Sequence, residues 1–492
     1  MATTEPVSTV TTERTKRRVT MTYRSLPTAI AALAFALAAL ETQALSIAET
    51  LASANAHFPR IQAAVEARLA SEGRLKNKMG AFDLALEQES LVWADGGFDG
   101  ASMDTRLAKR LPTAGAKVFA GYRVTNDDFP IYQQELVTNS GGEFNAGVVF
   151  SLLRDRAIDR RRFEVNRAEL GIAEAEIEVQ IARIMTQRNA ARAYWTWLAQ
   201  GRRVAVYREL VDLAEARMSA LEKRAAAGDV AQFQVIENRQ NLLRRQSALT
   251  NARRDFAQAA IELSLYVRDE NGLPRRPHNA ELPDHFPGFR LELDDPEITI
   301  AQVLARNPDI RLLDNATAVA QAELQIARNA LLPRVDVGVK TSHDVGRGSR
   351  TREGFEAIVD LTVSIPLERR LGQGAIDESQ AKLRKIELDR QLASERLSNE
   401  VYKLWERITA DAQYSAITAD EAVQADVLVD AERQRFESGA SDFFVVNLRE
   451  ERSADAKLRN AQALLAYFNG TTDLRAAMMD FAPFQNIGSG TP

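Results

Sequence analysis

The chain has 492 residues, a formal net charge of −5, four histidines and no cysteine. That balance offers no basic surface for nucleic acid, and the missing thiols exclude disulfides, thiolate metal sites, cysteine nucleophiles and lipid attachment at cysteine. His57, His278, His285 and His343 do not fall at metal-ligand spacing, and the His278/His285 pair sits in a proline-rich stretch that reads as a solvated loop.

Residues 1–44 read as an export signal. Arg14, Lys16, Arg17, Arg18 and Arg24 form a basic run, and the apolar stretch Thr28–Leu40 is followed by Thr42-Gln43-Ala44, an acceptable cleavage site. Met21 offers a second start that would make the signal compact. The apolar stretch is short of the ~20 residues of a spanning helix. No other stretch reaches that length, so membrane insertion would have to use strands.

Residues 45–267 and 297–470 read as two copies of one unit. Ser46–Ala52 (SIAETLA) parallels Thr299–Ala305 (TIAQVLA), and each is followed by a proline landmark, Phe58-Pro59-Arg60-Ile61 or Asn307-Pro308-Asp309-Ile310. Ala227-Gly228 and Ser438-Gly439 each interrupt a helical run, and Phe233 and Val235 follow the first glycine at the offsets of Phe444 and Val446 after the second. The shared order of landmarks argues for duplication. Residues 268–296, rich in proline and charge, read as a linker lying outside the helical body. Residues 471–492 read as a tail.

Within the first copy, Ser46–Asn77 predicts a helix that leads into a strand region over 81–153. Phe82, Leu84 and Leu86 predict one strand, and Phe144, Ala146, Val148 and Phe150 another. The segment 95–142 between them carries a turn at Leu111–Gly115 and a strand-like run over Val118–Val124. It reads either as further barrel strands or as a surface hairpin. Ile158–Ala226 then has no proline and is rich in Ala, Glu, Arg, Gln and Leu, all good helix formers. As one helix it would be ~100 Å long. Ile177, Ile181, Ile184, Ala191, Trp195 and Leu198 mark a heptad-like seam, which resumes at Tyr207, Val211, Ala214 and Met218 after a register break near Gly201. Trp195, Trp197 and Trp405 fit such packing better than a ligand site. Ala231–Tyr266 predicts a shorter helix after the glycine turn.

The second copy repeats this plan, with a helix over Thr299–Leu331, strands over 333–366, a long helix over Ala375–Glu437 and a shorter one over Phe443–Tyr467. Val335, Val337 and Val339 alternate with Asp336, Gly338 and Lys340, and Phe355 to Ile365 alternate likewise. Alternation over ~10 residues per strand fits a membrane β-barrel. Each pair of short helices, stacked end to end, nearly matches one long helix, as staves of a cylinder would. Two strand pairs cannot close a barrel, and open edges in lipid are prohibitive, so the chain must oligomerise.

These features together resemble the TolC-like outer-membrane efflux family over nearly the whole mature chain. The matching segments are TIAQVLARNPDIRLL, NALLPRVDVGV, VDLTVSIPLERRLGQG and RFESGASDFFVVNLREERSADAKLRNAQALLAYFNG, with RLPTAGAKVFAGYRV in the first copy. The resemblance implies a mainly α fold with a membrane β-barrel: a homotrimer with a twelve-stranded barrel above a periplasmic helical tunnel. It implies a passive conduit of a tripartite efflux or type I secretion system, in the outer membrane of a Gram-negative bacterium, without cofactor. A periplasmic adaptor (membrane fusion protein) and an inner-membrane RND or ABC transporter would be its partners. The Gly228 and Gly439 turns would be the periplasmic tips, with Val235, Ser441 and Val446 among the adaptor-docking positions. The family's acidic gate positions, six and nine residues past the second tip glycine, are Val445 and Leu448 here. Asn447, Arg449 and Glu450, with Gln234 and Glu237 in the first copy, are the polar candidates for the constriction. The alternative is a periplasmic coiled-coil adaptor or scaffold, but that would show one helical hairpin between compact β domains rather than two strand-inserted repeats. An enzyme is disfavoured, because no glycine-rich phosphate loop, nucleophile elbow or metal cluster occurs in the sequence.

Overall fold

The computed structural model describes residues 44–94, 99–126, 129, 131–288 and 291–485. The expected export signal, up to residue 43, lies outside them. In chain order the helices are α1 (Ile47–His57), α2 (Pro59–Met79), α3 (Arg160–Ala226), α4 (Gln232–Ser264), α5 (Pro296–Arg306), α6 (Pro308–Ala330), α7 (Arg370–Glu437), α8 (Phe443–Ala477) and a last turn, α9 (Ala482–Gln485). The strands are β1 (Leu84–Val92), β2 (Ala101–Arg110), β3 (Lys117–Asn126), β4 (Glu143–Ser151), β5 (Arg334–Asp344) and β6 (Gly354–Ser364).

Local chemistry sets the helix boundaries. Ser46 and Glu49 form a reciprocal capping box at the start of α1. Phe58, which precedes Pro59, is extended, so α1 ends there and α2 begins with proline in its first turn. The second copy repeats this break: Asp295 caps α5, and Asn307 caps α6 ahead of Pro308. Each helix expected before the strands is therefore two helices. Asp159 caps α3 through the amides of Arg161 and Arg162. The long helices α3 and α7 have 67 and 68 residues, or ~100 Å each.

These helices form one wall. α2 and α4 pack on one flank of α3, α6 and α8 pack on its other flank, and α7 packs against α6 and α8. The order of staves is thus α2 with α4, α3, α6 with α8, and α7. Because α3 is covered on both flanks, Trp195 and Trp197 are both fully buried although they are only two positions apart. Trp195 packs on Phe468 with ring centroids 4.4 Å apart and donates Nε1–H to Thr472. α8 continues seven residues past the expected boundary at Gly470. Asp473 on that extension pairs with Arg188 and Arg192 of α3, and Leu474 is buried.

The linker differs from its sequence reading. It packs against the helical body instead of lying outside it. Phe286 stacks on Phe468 at 5.5 Å, the Leu291 amide donates to the Tyr467 hydroxyl, and Leu282 lies over Gly201. α3 runs unbroken through Gly201, where a Cβ would collide with the Leu282 side chain. The glycine that read as a register break makes room for the linker.

The strands form one six-stranded antiparallel sheet in the order β1-β2-β3-β4-β5-β6. This is wider than two strand pairs, because segment 95–142 contributes β2 and β3 to it. β1 follows α2, β4 leads into α3, β5 follows α6, and β6 leads into α7. The sheet therefore runs in the same order as the staves that carry it.

Candidate functional site

Two parts of the molecule have the character of functional surfaces, the sheet and the paired turns at the far ends of the long helices. The register assigns each sheet residue to one of two faces. One face carries Leu84 and Leu86 of β1, Met103 and Leu107 of β2, Val118 and Val124 of β3, Phe144 and Val148 of β4, Val337 and Val339 of β5, and Phe355, Val359 and Leu361 of β6. Much of it is bare even on the interior strands: Phe144, Leu107, Met103 and Val339 are 56, 47, 42 and 40 % exposed. The other face carries Asp104, Arg106, Arg123, Glu143, Asn145, Asp336 and Ser342, and of these Asp104, Arg123, Glu143, Asn145, Asp336 and Ser342 are buried. Arg123 pairs with Glu143, which also lies 3.6 Å from Lys340, and Arg106 pairs with Asp104. Along the interior strands β2–β5, charges sheltered on one face and large apolar side chains bare on the other is the inverse of a water-soluble sheet. It is the arrangement a lipid-facing barrel wall needs.

At the opposite end, α3 and α7 terminate identically. Gly228 and Gly439 adopt left-handed backbone, with φ of 79° and 76°. The Gly228 amide donates to Ala225 and the Asp229 amide to Arg224; Gly439 donates to Phe436 and Ala440 to Arg435. Both are Schellman closures, which need the left-handed residue that glycine supplies without strain. α4 and α8 restart a few residues later, the latter capped by Asp442. The two hairpins close on a shared apolar plug of Met218, Leu221, Val235 and Phe443. Val446 is also buried and Ser441 half-buried, whereas Phe233 and Phe444, five residues past each glycine, are bare at 64 and 62 %.

Just above this plug lies a buried ion cluster. Glu450 on α8 accepts from Arg217 of α3 at 2.5 Å, from Arg245 of α4 at 3.2 Å and from Arg433 of α7 at 3.2 Å. Asn447 accepts from Arg217 at 2.6 Å, and Arg245 also donates to the Leu210 carbonyl at 2.9 Å. The Arg217 guanidinium stacks over the Phe443 ring, 5.2 Å from its centroid. The Glu450 side chain is 1 % exposed and that of Arg245 3 %. Burial pushes the Glu450 carboxyl upward, but the hydrogen bonds and charges of Arg217, Arg245 and Arg433 outweigh it and hold the group below its ordinary value. Burial lowers Arg245, partly countered by Glu450. The cluster thus ties one helix from each of the four staves together through a single carboxylate.

Of the polar residues singled out in the sequence, Asn447 and Glu450 face this interhelical cluster. Arg449 is half-buried with Glu432 at 4.0 Å, and Gln234 and Glu237 are half-buried on α4. The three arginines that complete the cluster are absent from the sequence reading. A signal for one of them exists. The buried positions Val235, Asn238, Arg245, Leu249, Ala252 and Phe256 of α4 keep one helical spacing, so Arg245 is a charge where the seam calls for an apolar residue.

An apolar-outward sheet carried on ~100 Å staves is the build expected of a lipid-facing wall set on a long helical stem. Residues 299–478 match the outer membrane efflux protein family. A 141-residue segment is 29 % identical to the pyoverdine export outer membrane protein OpmQ of Pseudomonas putida, covering 28 % of this chain and 27 % of that relative's own length. Among solved structures, the outer membrane protein VceC of Vibrio cholerae superposes with a TM-score of 0.62 at 15 % identity, covering 88 % of this chain and 96 % of that one. The open state of the MtrE outer membrane channel of Neisseria gonorrhoeae gives 0.62 at 13 %, covering 88 and 89 %. The CmeC outer membrane channel of Campylobacter jejuni gives 0.60 at 13 %, covering 88 and 85 %.

Proposed function

We propose that the chain is one protomer of a homotrimeric, passive export channel in the outer membrane of a Gram-negative bacterium. Its sheet would line a pore through lipid and its helices would form a tunnel across the periplasm. The observation that carries this reading is the inverted sheet, apolar outward and polar inward, held at the end of an open helical wall.

The wall's open edges support assembly. The outer face of α7 leaves Leu371, Leu388, Leu392 and Tyr402 exposed. Leu371 and Leu392 are 21 residues apart and Leu388 and Tyr402 are 14 apart, multiples of the heptad. At the other edge α4 exposes Phe233, Ile236, Leu243 and Ile261, with 28 residues from Phe233 to Ile261 and 7 from Ile236 to Leu243. Each edge is half of a coiled-coil seam. The strand edges coincide with them, since β1 follows α2 and β6 leads into α7. A second copy that joins its α7–β6 edge to the α4–β1 edge of the first covers both seams and both unpaired strand edges at once.

The tips are the docking end. Gly228 and Gly439 shape them, Val235 and Val446 pack behind them, and Phe233, Phe444 and Ser441 form the surface offered to a periplasmic adaptor, which would link the channel to an inner-membrane RND or ABC transporter. Gln234 and Glu237, half-buried on α4, and Arg449, beside Glu432, are the polar groups that would narrow the mouth, while Asn447 and Glu450 hold the hairpins together.

The test is direct. The purified protein should be trimeric by native mass spectrometry and conduct ions in a planar bilayer. A soluble monomer without conductance would refute the reading.

A further inference from the structure

We propose that the closed barrel contains six strands from each chain, eighteen in the trimer, rather than the four per chain that two strand pairs would supply. The inference rests on the trimeric-channel reading above and concerns the build of its exit.

The hairpin β2–β3 stands inside the wall and is paired along both sides. β2 pairs with β1 from Lys109 opposite Leu84 to Ala101 opposite Val92. β3 pairs with β4 from Lys117 opposite Val149 to Arg123 opposite Glu143. β1 and β4 are therefore two strands apart, and they could meet only if both ladders broke. The hairpin also runs the full height of the sheet. Its turn lies at the helix end, where Ala114 and Gly115 are both left-handed and the Ser151 amide of β4 donates to the Ala114 carbonyl. Two left-handed residues in the loop give the twist that a tight hairpin requires.

The division between the two faces carries through the hairpin, with Gln88, Ser90, Thr105 and Lys109 as the polar positions on the apolar side of β1 and β2. Met103, Leu107, Val118 and Val124 continue the apolar face from β1 to β4. Ser102, Asp104, Arg106 and Arg123 continue the polar face, where Lys117 of β3 reaches back to Glu87 of β1 at 3.7 Å and Arg123 pairs forward to Glu143 of β4. A hairpin lying outside the barrel would have no reason to divide its residues between lipid and water in phase with its neighbours. Parity permits the extra pair. In a six-strand meander β6 runs opposite to β1, so copies joined edge to edge remain antiparallel throughout, as a closed even-numbered barrel requires.

The consequence is width. With strands ~4.8 Å apart and tilted by ~40°, twelve strands close at a backbone radius of ~12 Å and eighteen at ~18 Å. Twelve staves spaced ~9–10 Å make a helical ring of roughly 17–19 Å radius. The eighteen-stranded barrel is as wide as the tunnel beneath it, so cargo meets no narrowing of the backbone wall at the outer membrane.

Two measurements test this. In cryo-electron microscopy of the full-length protein in lipid nanodiscs, each protomer should contribute six strands to the wall. Four, with residues 101–126 outside it, overturns the inference while leaving the trimeric channel intact. A copy number other than three tells instead against the trimer, because the count per protomer can still be read. The cysteine-free chain also allows a single-cysteine scan in proteoliposomes with a water-soluble maleimide. Arg106→Cys, Arg110→Cys and Lys117→Cys, partly exposed on the polar face, should label, and Met103→Cys, Leu107→Cys and Val124→Cys should be protected. Equal labelling of the two sets places the hairpin outside the wall and overturns the inference.

Discussion

Replacing Glu450 with glutamine should loosen the tip of the helical wall without disturbing the sheet. The substitution keeps the side chain's shape and removes its charge, leaving Arg217, Arg245 and Arg433 facing one another. Arg433 is 34 % exposed and contributes little once solvent screens it. Arg245, at 3 % exposure, has nowhere to go. Removing one partner of a buried pair costs ~3–5 kcal/mol. The glutamine oxygen retains part of the hydrogen bonding, so the lower end, ~3 kcal/mol, is the appropriate figure. At ~1.4 kcal/mol per factor of ten, tip amides should exchange about a hundredfold faster. Hydrogen–deuterium exchange read by mass spectrometry on peptides from 205–245 and 430–455 measures this, with strand peptides as the internal reference. Glu451→Gln is the control, since its pair with Arg244 lies at the surface and should move exchange by less than threefold. If Glu450→Gln and Glu451→Gln give the same tip exchange, the cluster does not hold the hairpins together.

The same carboxylate sets a pH dependence. Because its folded value lies below the ordinary one, its stabilisation is complete above ~4.3 and is lost as pH falls through the lower folded value. Tip protection, corrected for intrinsic exchange, should stay level from neutral pH to about 5 and decline below about 4; Glu450→Gln should abolish that decline. Val359→Arg, on the lipid face, should cost ~2–4 kcal/mol of barrel stability, seen as loss of heat-resistant trimer on gels, whereas Asp360→Asn on the opposite face should leave the trimer band intact. Phe233→Asp combined with Phe444→Asp should abolish co-purification of the adaptor while trimers still form; retained co-purification would remove these residues from the docking surface. Gly439→Ala forces a side chain into left-handed backbone at a cost of ~1–2 kcal/mol, and should raise exchange at the Ala440 amide, with an unchanged rate counting against the need for glycine there.

Much of this architecture is legible in the order of residues, because it rests on local chemistry. Proline and glycine act on their own backbone, so the turns at Gly228 and Gly439 and the starts at Pro59 and Pro308 follow from the sequence. The heptad spacing around Trp195 and the alternation from Val335 to Val339 and Phe355 to Ile365 likewise fix helix, strand and buried face, since each period belongs to one backbone geometry. Three features needed the tertiary structure. Whether β2 and β3 join the wall depends on pairing with β1 and β4, and a Met-Asp-Thr-Arg-Leu run with few β-branched residues carries little of that in itself. The role of Gly201 depends on Leu282, 81 residues away, arriving over α3. The carboxylate of Glu450 sits in an ordinary helical stretch, and only the convergence of Arg217, Arg245 and Arg433 from three other helices turns it from a solvated charge into the buried link between the staves.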